Sequence, residues 1–202
     1  MNILQITSSL RGEQSESNRV ANSIVAKLVA ANPNASVVTR DLARQPHPQL
    51  DEAALGALFT PAESRTAEQS ARVALDDTLI AQVQAADVVV IGAPMYNFTV
   101  PTQLKAWIDR ICVAGVTFRY TEAGPEGLCG GKKVVIVSTA GGLHAGQPTN
   151  GAHEQYLQTV LGFLGITEIE FVRAQGLAYG EEVRGKAMSD AQAQISQQFA
   201  AA

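Results

Sequence analysis

Cysteine is scarce in this 202-residue chain: Cys112 and Cys129 stand in different contexts, without CxxC spacing. That excludes a disulfide framework or a paired-thiol metal site, and reduced thiols are expected. Histidine is equally thin. His47, His144 and His153 show neither HxxxH nor HExxH spacing, so no metal site is expected. Charge is low as well, at 17% of residues with a formal net charge of −4. Lysine and arginine are scattered, with no basic stripe, which argues against a phosphate-backbone reader and against nucleic acid as a partner. No run reaches the roughly 18 apolar residues of a membrane span. The start, MNILQITSSLRG, lacks the basic opening and small-residue cleavage site of a secretory signal. A cytoplasmic protein with no membrane partner is expected.

What is present is core. With 46% hydrophobic residues, the chain fits one large domain, 1–202. Along it, strand and helix patterns alternate. NILQIT (2–7) is a short apolar run, and from Asn18 the residues Val20, Ile24, Leu28 and Ala31 fall at helical spacing. SVVTRDL (36–42) reads as a second strand, followed by a short helix near 53–58 and a long one over about 67–86. DVVVIGAP is continuous in Val and Ile, as a strand buried on both faces should be. Over 102–111, Leu104, Trp107, Ile108 and Ile111 mark a helix with one core face, and Trp107 is assigned to that core. A fourth strand (133–139), a helix (151–164), a fifth strand (168–174) and a last helix (181–199) complete the series.

Right-handed crossovers turn such alternation into a parallel sheet with helices on both faces. The expected class is therefore α/β, a three-layer fold with a five-stranded parallel sheet of order 2-1-3-4-5. Ligands of such sheets sit at the carboxyl ends of the strands, near the switch point between strands 1 and 3. Three loops gather there: 8–17, 93–101 and 140–150.

The first loop, SSLRGEQSESN, offers Ser8, Ser9, Ser15 and Ser17 just before a helix, and helix-terminal amides with hydroxyls suit a phosphate. Neither GxxxxGK[ST] nor GxGxxG occurs, so a monophosphate fits best. Glu13 and Glu16 oppose an anion there, and Arg11 partly offsets them. The alternative is a serine-rich turn with Ser17 or Asn18 as helix cap. In the second loop, Met95, Tyr96, Asn97 and Phe98 stand between Pro94 and Pro101, and could pack on a flat heterocycle while Asn97 binds its edge. A hydrophobic plug is the alternative. In the third, Gly141 and Gly142 allow close approach of a ring edge. His144 is a partner for that ring or a plain surface histidine, and His47 and His153 receive no role.

A phosphate end, a flat body and a polar ring edge are the parts of FMN. The chain resembles the FMN-dependent NADH-azoreductases, which are also quinone reductases of flavodoxin-like fold. The likeness runs from SSLRGEQSESN through PMYNFTVPTQLKAWIDR and TFRYTEAGPEGLCGGKK to STAGGLHAG and LGFLGI, and the MYNF loop with its P-x-x-L-K-x-W-I-D helix is its specific part. The resemblance implies that Ser9, Ser15, Glu16 and Ser17 hold the phosphate and ribityl chain. It implies that Met95, Tyr96, Asn97 and Phe98 hold the isoalloxazine, and that Thr139, Ala140, Gly141 and Gly142 lie under its pyrimidine edge. Thr139-Ala140 departs from the Ser-Arg that is frequent in the family, which leaves Ala140 only a backbone contribution.

The resemblance further implies a homodimer, with Phe98, Phe118, Tyr120, His144 and Phe163 lining a substrate slot, some of them from the partner chain. The expected function is reduction of quinones and reductive cleavage of aromatic azo bonds to amines, with NADH as donor, by ping-pong hydride transfer through FMN. No protein group is assigned a catalytic role, because the cofactor carries the chemistry. A flavodoxin-like electron carrier, and an FMN reductase of nitro compounds or metal oxyanions, stay open beside it.

Overall fold

In the computed structural model, which describes residues 1–199, the run Val88–Pro94 is buried at every position and forms the middle strand of a parallel sheet. Among the described residues the strands are β1 (Asn2–Thr7), β2 (Ser36–Asp41), β3 (Val88–Pro94), β4 (Phe118–Thr121), β5 (Gly124–Gly127), β6 (Lys133–Thr139) and β7 (Glu168–Ala174). The helices are α1 (Glu16–Ala31), α2 (Glu52–Phe59), α3 (Ala67–Ala85), α4 (Thr102–Ile111), α5 (Tyr156–Phe163) and α6 (Glu181–Gln198). The five-stranded sheet runs β2-β1-β3-β6-β7, all parallel, with Ile3 opposite Val88 and Ile91 opposite Ile136. The expected numbering 2-1-3-4-5 left out the hairpin β4–β5, which lies outside this sheet. The expected domain 1–202 includes residues 200–202, which lie outside the described range.

Successive strand residues point to opposite faces, so the apolar runs divide into two cores. Leu4, Ile6, Val89, Ile91, Val134 and Ile136 pack on one face against Leu79 and Val83 of α3 and Leu104, Trp107 and Ile108 of α4. Ile3, Val88, Val90, Val135 and Val137 pack on the other against Val20 and Ile24 of α1 and Ile195 of α6. Each such large side chain contributes about 1.5–3 kcal/mol on burial. Trp107 belongs to the first core, as its helical spacing implies.

Local signals set the element ends. Thr66 and Gln69 bond reciprocally as a capping box at the start of α3. Helix α1 starts earlier than its apolar periodicity suggests, because the Ser15 hydroxyl accepts from the Asn18 amide and acts as the cap in place of Ser17 or Asn18. The helix expected over 151–164 opens with a π-helical turn at Gly151–Gln155. Between α3 and α4, buried Asp76 takes the Arg110 guanidinium at 2.7 Å and His47 at 2.8 Å. The β4–β5 hairpin docks through glycine: a Cβ on Gly127 would lie 2.0 Å from the Gly165 nitrogen.

Candidate functional site

The loops leaving β1, β3, β6 and β7 enclose a cavity of about 370 Å³ at the carboxyl edge of the sheet, within the size range of small-molecule sites. Ser9, Ser15, Glu16, Ser17, Met95, Tyr96, Thr139, Ala140 and Gly141 all line it. Three separate stretches of sequence therefore converge on one space.

At one end the wall is the N-terminus of α1. Ser9, Ser15 and Ser17 are buried, and the Ser15 and Ser17 hydroxyls lie 2.9 Å apart. Asn18 and Arg19 spend their amides on the Ser15 hydroxyl and carbonyl. The amides of Glu16 and Ser17 have no acceptor among the described residues, as expected for a first helical turn. Hydroxyls and free amides at the positive end of a helix dipole form a donor set for an anion. Arg11 and Arg184 add positive charge to this end, and Glu16 and Glu181 add negative charge.

The second loop is pinned to its neighbours. The Met95 amide donates to the Thr139 carbonyl at 2.7 Å, and the Tyr96 hydroxyl meets the Leu10 amide at 3.1 Å and Ser9 Oγ at 3.3 Å. Tyr96 and Thr99 exchange both backbone hydrogen bonds around Asn97 and Phe98, whose φ values are 49° and 70°. That is the positive-φ pair of a tight two-residue hairpin turn, which normally favours Asn-Gly. Asn97 suits its position, whereas Phe98 occupies the place glycine would take. The turn lifts both side chains out of the cavity wall. Asn97 is exposed, and Phe98, 56% exposed, meets the His144 ring edge-on at 5.9 Å.

The third loop is held by a fourth that sequence reasoning did not include. Ala140 spends its amide on the Ala174 carbonyl and its carbonyl on the Leu177 amide. Gly141 and Gly142 carbonyls accept from Ala178 and Gly176, and the Gln175 side chain accepts from the amides of His144 and Ala145. The backbone groups still free to face a ligand are the amides of Gly141 and Gly142, so Ala140 serves as a link and not as a donor. Gly142 is turned away from the cavity lining, behind the His144 ring. Leu177, Ala178, Gly180, Glu181 and Arg184, from the β7–α6 segment, complete the cavity wall. Their signal was available: β7 ends at the same carboxyl edge as β6, and its loop belongs to the same ligand-facing set.

Beneath this edge lies His153, fully buried, with Nδ1 3.5 Å from Ser138 Oγ. Burial pushes its imidazole below the ordinary histidine range, against the opposing pull of Glu154 and the Ala93 backbone. Glu154 is itself held below the usual carboxylate range. Burial opposes that shift, but hydrogen bonds from Arg173 and Ser138 outweigh it, and both carboxylate oxygens pair with Arg173 at 2.8–3.0 Å. Phe118, Tyr120 and Phe163 form a separate aromatic group on the hairpin side. The Phe118 and Phe163 centroids are 4.4 Å apart, Tyr120 is 75% exposed, and none of the three lines the cavity. Among the described residues no cluster of ligating side chains suits a metal.

A family model for the flavodoxin-like fold matches residues 1–199. The chain is 60% identical over 202 residues, all of both chains, to FMN-dependent NADH:quinone oxidoreductase 5 of Pseudomonas fluorescens strain Pf-5. It is 59% identical over 200 residues to the FMN-dependent NADH:quinone oxidoreductase of Dechloromonas aromatica, covering 99% of this chain and 100% of that one. Among solved structures, azoreductase from Bacillus anthracis strain Sterne superimposes with a TM-score of 0.90 at 28% identity, covering 98% of each chain. An FMN-dependent NADH-azoreductase from Bacillus anthracis strain Ames Ancestor, in complex with FMN, gives 0.86 at 25% identity over 98% of this chain and 100% of that one.

Proposed function

The chain belongs to the flavodoxin-like fold family, and from that premise we propose that it is an FMN-dependent NADH:quinone oxidoreductase that also reduces aromatic azo bonds to amines. The carrying observation is the single cavity that joins an anion-binding helix end to two apolar side chains and a glycine edge. Its donor set fits FMN part by part. Ser9, Ser15, Ser17 and the first amides of α1 take the phosphate. Met95 and Tyr96 pack on the ring system, and the free amide of Gly141 faces its polar edge. Bound there, FMN supplies the hydride chemistry. The chain's own part is to bind, orient and shield; no side chain of the cavity needs to act as nucleophile.

Substrate selection falls to the rim. Leu10, Phe98 and Leu143 around the carboxyl edge and Tyr120 on the hairpin are exposed apolar or aromatic groups, and a second copy packed over them would take them out of water. We read them as the contact surface of a homodimer, in which Tyr120 and the half-buried Phe163 meet the cavity of the second copy and form the quinone slot with Phe98 and His144, while Phe118, expected in that slot, is buried in the core of its own chain and only backs them. A slot shared by donor and acceptor admits NADH and quinone by turns, which is ping-pong kinetics. The free thiols of Cys112 and Cys129 accord with the cytoplasm as its compartment.

Steady-state assays of the FMN-loaded protein with NADH and NADPH, against a quinone and an azo dye, test the reading. Parallel double-reciprocal lines, FMN as the released pigment, and sedimentation at twice the 21.3 kDa chain mass are expected. Recovery of FAD, or no flavin uptake, overturns the cofactor assignment, and intersecting lines overturn the shared slot.

A further inference from the structure

Glu16 is out of place at the phosphate end. Its side chain is only 10% exposed, it lines the cavity between Ser15 and Ser17, and its charge has the sign of the phosphate that those hydroxyls are arranged to receive. A carboxylate in a first helical turn is favoured by the dipole, but an anion arriving beside it is repelled. The repulsion is met from the opposite wall. Arg184, on the first turn of α6, places Nε 2.9 Å from Glu16 Oε1, and its Nη2 bonds the same oxygen. Its Nη1 lies 3.1 Å from Glu181. Arg19 approaches both Glu16 oxygens at 3.4 Å. Arg184 itself lines the cavity, 168 residues from its partner in sequence.

An exposed ion pair that only stitched two helices together would contribute little. This one touches the cavity at the end where the cofactor's formal charge belongs. We propose that Arg184 is a specificity-determining residue for the cofactor: clasped to Glu16, it cancels the carboxylate's charge and closes the phosphate end between α1 and α6, so that the site prefers FMN to unphosphorylated riboflavin. The inference rests on the flavin assignment made above, and adds to it the residue that makes a phosphate acceptable next to Glu16. Because Arg184 acts mainly through Glu16, removing both side chains is less harmful than removing the arginine alone.

Flavin-free protein is titrated with FMN and, separately, with riboflavin, following the quenching of flavin fluorescence, for the wild type, R184A, R184K, E16Q and E16Q/R184A. Circular dichroism confirms that each variant is folded. Loss of one neutralising charge at the end of the cavity that would take the phosphate should weaken FMN binding by about tenfold in R184A. Riboflavin binding should change by less than about twofold, because the interaction lost is the electrostatic one with the phosphate. R184K should recover most of the loss, and E16Q/R184A should return to within about threefold of wild type, since the carboxylate of Glu16 is gone and only the more exposed Glu181 keeps an uncompensated charge. The FMN difference should shrink as salt rises from about 0.05 to 0.5 M. Equal weakening of both flavins in R184A, no effect on either, or no recovery in the double variant overturns the clasp. A wild-type protein that binds neither flavin overturns the cofactor assignment itself, which keeps the two failures apart.

Discussion

Position 98 should invert the usual ranking of glycine and alanine. Phe98 holds φ of 70° as the second central residue of the Tyr96–Thr99 turn, where the Asn-Gly pair is preferred. A side chain bearing a β-carbon pays roughly 1–2 kcal/mol in the left-handed region, while glycine's extra freedom in the unfolded chain costs it about 0.5–1 kcal/mol elsewhere. Phe98→Gly and Phe98→Ala lose the same half-exposed ring and the same edge contact with His144, so these losses cancel between the two variants. The backbone difference remains. Phe98→Gly should be the more stable by about 1 kcal/mol, which for a chain of this size is a higher unfolding midpoint by about 2–4 °C. Gln192, exposed on α6, supplies the control: there Gln192→Ala should exceed Gln192→Gly by a similar amount. Thermal unfolding of the four variants in one buffer is the assay. If Phe98→Ala unfolds at or above Phe98→Gly, the turn is not strained and the reasoning fails. Activity should not follow stability. If the ring serves the quinone slot, both variants lose it and fall equally in kcat/KM, by about threefold to tenfold. A strained aromatic held beside the cavity is then kept for function at a cost to the fold.

Three further perturbations test other links. Asp76→Ala leaves the fully buried Arg110 guanidinium, whose Nη1 already lacks a partner, without its carboxylate. A loss of about 3–5 kcal/mol is expected, measured by denaturant unfolding, and a loss under about 1 kcal/mol would mean the pair is not buried as described. For His153 the native imidazole lies below its ordinary range, so the unfolded chain binds the proton first as pH falls. Stability should therefore decline from about pH 6.5 downward, and His153→Gln should flatten that decline in urea midpoints between about pH 7 and 5.5. Glu154 adds its own loss only at lower pH, while Arg173 stays charged throughout; equal slopes in the two proteins would rule out His153 as the source. Gly127→Ala would press a Cβ to 2.0 Å from the Gly165 nitrogen, where both partners are backbone. It should cost about 1–3 kcal/mol and expose the hairpin to limited proteolysis, and an unchanged cleavage pattern would contradict tight docking.

How much of this could be read before the structure depended on the range of each interaction. The strands at 88–94 and 133–139 were legible because burial on both faces leaves continuous Val and Ile, a signal written in neighbouring residues. The hairpin Phe118–Gly127 was not. Its second strand is Gly-Pro-Glu-Gly, which carries no strand propensity and is placed by the fit of Gly127 against Gly165. The π-helical turn at Gly151–Gln155 has no periodic mark either. In the site, Ser9, Ser15, Ser17, Met95, Tyr96 and Gly141 stood out by their chemistry, while Glu16, Thr139 and Ala140 came only with the family resemblance, and these nine line one cavity. The β7–α6 segment was missed because Leu177, Ala178 and Gly180 contribute mainly surface and backbone there, and carry no functional group to notice. Glu16 is the sharpest case. Read locally, its carboxylate counts against an anion site, and no window of sequence corrects that, since the compensating guanidinium of Arg184 lies on the last helix. Local pattern can say which residues are unusual; only the parallel crossover that brings α6 beside α1 decides whether Glu16 repels a phosphate or is neutralised before one arrives.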